Sequence, residues 1–273
     1  QLVGFSRTQE RQAEADHSRL DDTVVAQPVV FASQVAITLL LRERGVEPDA
    51  VAGHSVGEVA AAWAAGALDL NQAILVICAR SKAQGVARGS GRMAAVGLPR
   101  ETVEELLYEL GLASDVAIAG VNSPKDVTLS GNLAALMEVQ KHVEPVGRFF
   151  RLLDIDYAFH SKTMDVIRPL LMEGLSELGL PAAGKALFIS SVTGDVLDGN
   201  ELDADYWWRN VRQPVRFADA VARLADLGYR AFVEIGPNAI LQHYIRECLG
   251  AVKVKGRVLS TLRKGNDGLE RIE

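Results

Sequence analysis

The chain has 273 residues, of which 48% are hydrophobic and 23% charged, and a net charge of −6. This length and composition suit a globular protein that buries a full core, and they exclude a disordered or fibrous chain. The acidic balance, with no basic run, argues against nucleic acid as a partner.

Residues 28–44 read as a helix, with Pro28 in its first turn and Gly45 as its stop. Ala50–Gly53 is a buried strand, and Gly57–Gly66 an alanine-rich helix. A longer helix runs from about Asn71 to Val86, with Asp69 as its cap. The character then changes. Arg92–Leu98 reads as a strand, Glu101–Leu110 as a helix, and Val116–Val121 and Asp126–Ser130 as strands joined at Asn122-Ser123-Pro124. Asn132–Val143 is a helix and Phe149–Ile155 a strand. This β-α-β-β-α-β order predicts a ferredoxin-like unit over 92–155, inserted in a larger α/β unit over 1–91 and 156–273. In the larger unit Lys162–Leu178 is helical, Ala186–Ser191 a strand, Pro214–Leu227 a helix and Arg230–Ile235 a strand. The predicted fold is a hydrolase-like α/β subdomain with a mostly parallel sheet, carrying a small ferredoxin-like subdomain, with the active site in the cleft between them.

Cys78 and Cys248 lie in apolar helical contexts. Buried free thiols fit that setting and a reducing, cytoplasmic location. No apolar run approaches the roughly 20 residues of a membrane span, so no membrane association is expected. The N-terminal segment lacks signal-peptide architecture and an initiator Met, which reads as a piece of a longer protein.

The chemistry concentrates at Gly53-His54-Ser55-Val56-Gly57-Glu58. A strand, a Gly-x-Ser-x-Gly turn and a helix make a nucleophile elbow, in which both glycines are expected to relieve crowding and Ser55 to stand clear of the sheet. The Val56 N–H, at the helix N-terminus, is the expected oxyanion donor. Five histidines compete as the base. His54 adjoins Ser55 but points elsewhere on a turn and is read as orienting the loop; His17 and His142 read as solvated. His160, where the chain re-enters the larger unit, is the choice, and His243, near the C-terminus as in an ordinary α/β-hydrolase, is the rival. Arg80, Lys82 and Arg92 are equally available as cationic groups.

The elbow, Arg80, Tyr157-Ala158-Phe159-His160-Ser161, Tyr206-Trp207-Trp208-Arg209-Asn210 and Glu234-Ile235-Gly236-Pro237 occur in the order of a known family. From about Thr23 to Leu262 the chain resembles the acyltransferase domain of a type I polyketide synthase, related to malonyl-CoA:acyl-carrier-protein transacylases. The resemblance implies a ping-pong transfer with Ser55 acylated and His160 as base and then acid. It implies that Arg80 grips the free carboxylate of a dicarboxylic acyl group, and that the carbonyl of Asn210 holds the catalytic His in place of a triad Asp. Gln27 matches a helix residue near the pocket, with a packing role equally open. Acyl-CoA is the implied donor and the phosphopantetheine of an acyl carrier protein the acceptor, beside a ketosynthase and other domains; no metal and no bound cofactor are called for. Tyr157 and Phe159 mix the residues that go with methylmalonyl and malonyl. Bulky Phe159 favours malonyl, although one methyl is worth only about 1–3 kcal/mol. The sequence departs from the family in lacking an early Gly-Gln-Gly, which leaves the second oxyanion donor unassigned. A serine hydrolase or thioesterase using His243, and a non-catalytic docking domain, are the competing readings.

Overall fold

A computed structural model describes residues 22–262. Helix α1 (Thr23–Glu43) starts five residues earlier than its proline suggested, because Asp22 caps it by accepting the Val24 N–H at 2.9 Å. Pro28 therefore lies inside the helix. Among the described residues, α1 is the one helix that passes for a membrane span by length and composition, contrary to the expectation from the sequence. It packs instead along α3 (Leu70–Gly85) and α2 (Gly57–Ala65), and it carries Gln27 and Gln34 into hydrogen bonds with residues far along the chain. Asp69 caps α3 as expected, and Gln72 returns the bond to the Asp69 N–H, completing a capping box.

Strand β1 (Ala50–Ala52) precedes α2, and β2 (Arg92–Val96) follows α3. Next come α4 (Arg100–Glu109), β3 (Val116–Ser123), β4 (Asp126–Gly131), α5 (Leu133–Val143) and β5 (Phe150–Leu152). Strands β2 to β5 form one antiparallel sheet in the order β3-β4-β2-β5. With its strands numbered within the unit the order is 2-3-1-4, the ferredoxin-like arrangement. Val96, Val103, Leu107, Leu129, Leu136 and Val139 close its separate core.

The chain then returns to the large unit. The stretch expected as one helix is divided into a 3-10 segment, Lys162–Ile167, and α6 (Arg168–Gly174). Pro169 explains the break, since it cannot donate to a preceding turn but suits the start of a helix. Strand β6 (Leu187–Ile189), α7 (Ala204–Arg212), α8 (Phe217–Asp226), β7 (Ala231–Glu234), α9 (Gln242–Ala251) and β8 (Arg257–Ser260) complete the fold. Among the described residues the large unit has two parallel pairs, β1 with β6 and β7 with β8. The main core gathers α2, α3, α6 and α7 around buried Trp207, Tyr206, Phe188 and Ile77. Cys248 is buried, but Cys78 is exposed, which corrects the expectation for that thiol.

Candidate active site

Ser55 stands in the turn between β1 and α2 with φ of +53°. That left-handed backbone costs an ordinary residue about 1–2 kcal/mol and persists only where its surroundings fix it. Gly53 is one reason it is fixed: a Cβ there would run into the backbone of Glu58 and Gly57. Gly57 is not needed for space, since its Cβ would meet only Gln34 Nε2 at 3.8 Å; the expected crowding applies to the first glycine alone. The Gly57 and Glu58 N–H groups close the turn on the carbonyls of His54 and Ser55, at 3.0 and 3.1 Å. Val56 is the N-cap of α2 and no side chain caps that helix end. Its first-turn N–H groups, those of Gly57, Glu58 and Val59, are taken by the carbonyls of His54, Ser55 and Val56, and the Val56 N–H precedes them at the helix end.

His160 Nε2 lies 2.8 Å from Ser55 Oγ. The residue is only 5% exposed and, like Ser55, has a positive φ, +58°. Its Nδ1 meets the backbone carbonyl of Gln213 at 2.8 Å. A carbonyl only accepts, so Nδ1 carries the ring proton and Nε2 turns its lone pair to the serine. Burial, and then the charge on Arg80, holds the His160 pKa down at about 3, so the imidazole is neutral in the resting site. The orienting carbonyl is thus that of Gln213, not of Asn210, which corrects the role implied by resemblance. A backbone oxygen leaves no mark in a sequence. It is fixed two residues on, where Val215 joins β3 through Val121 N–H to Val215 O (2.8 Å) and Val215 N–H to Ala119 O (2.9 Å).

His243 is largely exposed and faces Asp126 and Glu247, at 4.0 and 3.7 Å. His142 is exposed on α5 and bonds the Glu138 carbonyl. His17 lies outside the described residues.

Arg80, on α3, is 2% exposed. Its Nη2 donates to Ser55 Oγ at 2.9 Å, its Nη1 to Gln84 Oε1 at 2.9 Å and to Gln27 Oε1, and its Nε to Asn210 Oδ1 at 3.2 Å. Gln27 Nε2 also reaches Gln84 Oε1 at 2.7 Å. Burial lowers the Arg80 pKa to about 10 while nearby Glu58 raises it, so the guanidinium stays charged at neutral pH. A surface helix charge is thereby excluded for Arg80. Gln84 was not singled out from the sequence, although its i,i+4 spacing from Arg80 was there to be read.

His54 turns away from the reacting pair. Its Nε2 meets Asn122 Oδ1 of β3 at 2.9 Å, while Asn122 Nδ2 donates to Thr128 Oγ1 at 2.9 Å. The amide oxygen therefore accepts and His54 Nε2 holds the proton. The ring sits edge-on to Phe217, and enclosure by the protein lowers its pKa although part of the residue reaches solvent. Tyr157 is buried and stacks on half-buried Phe159, with ring centroids 4.8 Å apart and planes within 10°. Where the two units meet, Arg92 pairs with Asp156. An open cleft of about 480 Å³ there is lined by residues including Ser90, Asp115, Asn132, Asp156, Lys162 and Thr163. Neither Ser55 nor His160 lines it, so this cleft is not the one that holds the pair.

A sequence profile of the acyl transferase domain matches residues 8–273. The chain is 41% identical over 230 residues to erythronolide synthase EryA2 of Saccharopolyspora erythraea, covering 84% of this chain and 6% of that protein. Among solved structures it superposes on the acyltransferase domain from module 8 of the salinomycin polyketide synthase with a TM-score of 0.88 and 37% identity, over 92% of this chain and 59% of that one. For a loading acyltransferase from the avermectin modular polyketide synthase the TM-score is 0.86 and the identity 33%, over 92% of this chain and 78% of that one. The chain thus spans a small fraction of the length of its curated relative and most of a solved domain.

Proposed function

The chain belongs to the acyl transferase domain family, and on that premise we propose that Ser55 takes a dicarboxylic acyl group from its CoA thioester and passes it to the phosphopantetheine thiol of an acyl carrier protein. The setting is polyketide assembly in a multidomain synthase, beside a ketosynthase and further domains, with the small subdomain over 92–155 and the large one around it. Arg80 carries the dicarboxylic assignment. A charged, buried guanidinium whose Nη2 is 2.9 Å from the nucleophile is where a carboxylate on the acyl chain finds a charge-assisted partner, and a plain fatty acyl group finds none.

In the first half-reaction His160 Nε2 takes the Ser55 proton as Oγ attacks the thioester carbonyl. The Val56 N–H and the α2 N-terminus stabilise the tetrahedral oxyanion. The C–S bond then breaks, and His160 returns the proton to the departing CoA sulfur. In the second half the carrier thiol gives its proton to His160 and attacks the acyl-serine, and the C–O bond breaks as Ser55 Oγ recovers a proton. Phe159, held by its stack on Tyr157, narrows the acyl site, so malonyl is placed ahead of methylmalonyl. A thioesterase built on His243 is disfavoured by that side chain's exposure and acidic neighbours.

The test is intact-mass measurement after mixing with malonyl-CoA and then a carrier protein. A malonyl adduct that Ser55→Ala abolishes and the carrier thiol discharges is the expected result. Steady release of free malonate with no adduct and no transfer would instead establish a hydrolase.

A further inference from the structure

Glu58 is a buried carboxyl for which the acyl transfer described above has no use. It lies three residues after the nucleophile, it is 0% exposed, and its partners can be counted proton by proton. Oε1 accepts the Ser191 N–H. Oε2 accepts the Asn210 amide at 2.7 Å and faces the Tyr206 hydroxyl at 2.7 Å. The direction of that last bond follows from Ser190. Its oxygen accepts from the N–H groups of Val192 and Thr193, at 3.0 and 3.2 Å, which leaves its own proton for the Tyr206 oxygen at 2.8 Å. Tyr206 therefore gives its single proton to Glu58. All three partners donate to it, as a carboxylate requires. Burial raises the carboxyl pKa above its ordinary value, and the donors offset that rise only in part. The donor set, and the charged Arg80 beyond Asn210, select the carboxylate.

The bond to Asn210 has a consequence for Arg80. An amide presents oxygen at one side and two N–H groups at the other. Because Glu58 is acceptor-only, Asn210 must turn Nδ2 toward it, and Oδ1 is then the atom that meets Arg80 Nε at 3.2 Å. Flipped, the amide would oppose donor to donor at Arg80 and acceptor to acceptor at Glu58. With Nε held by Asn210 and Nη1 by Gln84 and Gln27, Nη2 is left directed at Ser55. A carboxylate, an amide and a guanidinium thus form a directional chain ending at the nucleophile.

We propose that Glu58 is a positioning residue that fixes the orientation of Asn210, and through it the guanidinium of Arg80, so that the site selects acyl groups bearing a free carboxylate. This role rests on the dicarboxylic transfer proposed above. Glu58→Gln keeps the shape but offers either an oxygen or an NH2 to Asn210, which removes the lock on the amide.

Ser55 acylation by malonyl-CoA and by acetyl-CoA is measured as kcat/KM in the full chain, for the wild type, Glu58→Gln, Arg80→Ala and the double variant. The malonyl-to-acetyl ratio is expected to fall roughly tenfold to a hundredfold in Glu58→Gln, with no further fall when the change is added to Arg80→Ala. A merely structural loss lowers both substrates alike and persists in the Arg80→Ala background; either outcome overturns the proposal. If Arg80→Ala itself leaves the ratio unchanged, the dicarboxylic assignment fails separately. Should Glu58→Gln not fold, Asn210→Ala breaks the same chain and carries the same expectation, and equal loss on the two substrates again refutes it.

Discussion

The protonation state of His160 makes the most demanding prediction. An unperturbed histidine titrates near 6.5, so at pH 5 only about 3% of it would be neutral and acylation would slow about thirtyfold. His160, held at about 3 by burial and by Arg80, stays about 99% neutral at pH 5. The kcat/KM for Ser55 acylation by acetyl-CoA, followed by quench-flow and intact mass from pH 5 to 8, is therefore expected to show no acid limb from the base. Acetyl is chosen because it brings no titrating carboxylate of its own. Arg80→Ala removes the second cause of the depression but not the first, so a limb should move upward toward 6.5 without reaching it. The sign for stability follows from the same shift. Below pH 6.5 the unfolded chain binds a proton that folded His160 refuses, so stability falls with pH by up to about 1.4 kcal/mol per pH unit, or about 2 kcal/mol between pH 6.5 and 5. Circular dichroism at each pH keeps that loss apart from the kinetics. An acid limb at pH 6–7 in folded wild-type protein would refute the assignment of a buried neutral base.

Two further substitutions test the acyl pocket and the elbow. If Phe159 lines the acyl site as proposed, Phe159→Ser opens space there and should raise the methylmalonyl-to-malonyl ratio of kcat/KM roughly tenfold; an unchanged ratio in a competition assay means selectivity is set elsewhere. Gly53→Ala forces a methyl into the backbone of Glu58 and Gly57 and should cost about 3 kcal/mol or more in urea unfolding, whereas Gly57→Ala should change stability by less than about 1 kcal/mol. Equal effects at the two glycines would show that the turn is not held by the Gly53 contact.

What the sequence made legible was local. The elbow, the Asp69 cap and the strand order of the small unit depend on residues a few positions apart, and short-range sterics and capping decide them. The misses fall where distant chain segments decide. Helix α7 escaped notice because its apolar residues, Tyr206, Trp207 and Val211, are packed by α3 and the 3-10 segment rather than spaced in a long repeat. The α9 helix and β8 lie in a short C-terminal stretch where β7 supplies the pairing. At the site, Ser55, His160 and Arg80 are named by residue type and spacing, yet the Gln213 carbonyl that sets the histidine tautomer is backbone. Its position follows from the bridge between Val215 and β3.

The two residues proposed to react share a further property. Among the described non-glycine residues only Ser55, His160 and Lys253 have positive φ, so two of the three strained positions are the nucleophile and its partner. Strain of that kind persists only when several contacts hold it at once. For Ser55 those contacts converge on one residue. The Glu58 N–H closes the turn on the Ser55 carbonyl at 3.1 Å, and the Asn210 amide that Glu58 orients reaches the same carbonyl at 3.3 Å. Backbone and side chain of Glu58 thus restrain the serine from one side and the arginine from the other. On the proposed reading, the relative position of nucleophile and guanidinium thus depends on one buried carboxylate, acting with Gln27 and Gln84 on the arginine and with the Gly53 contact on the serine.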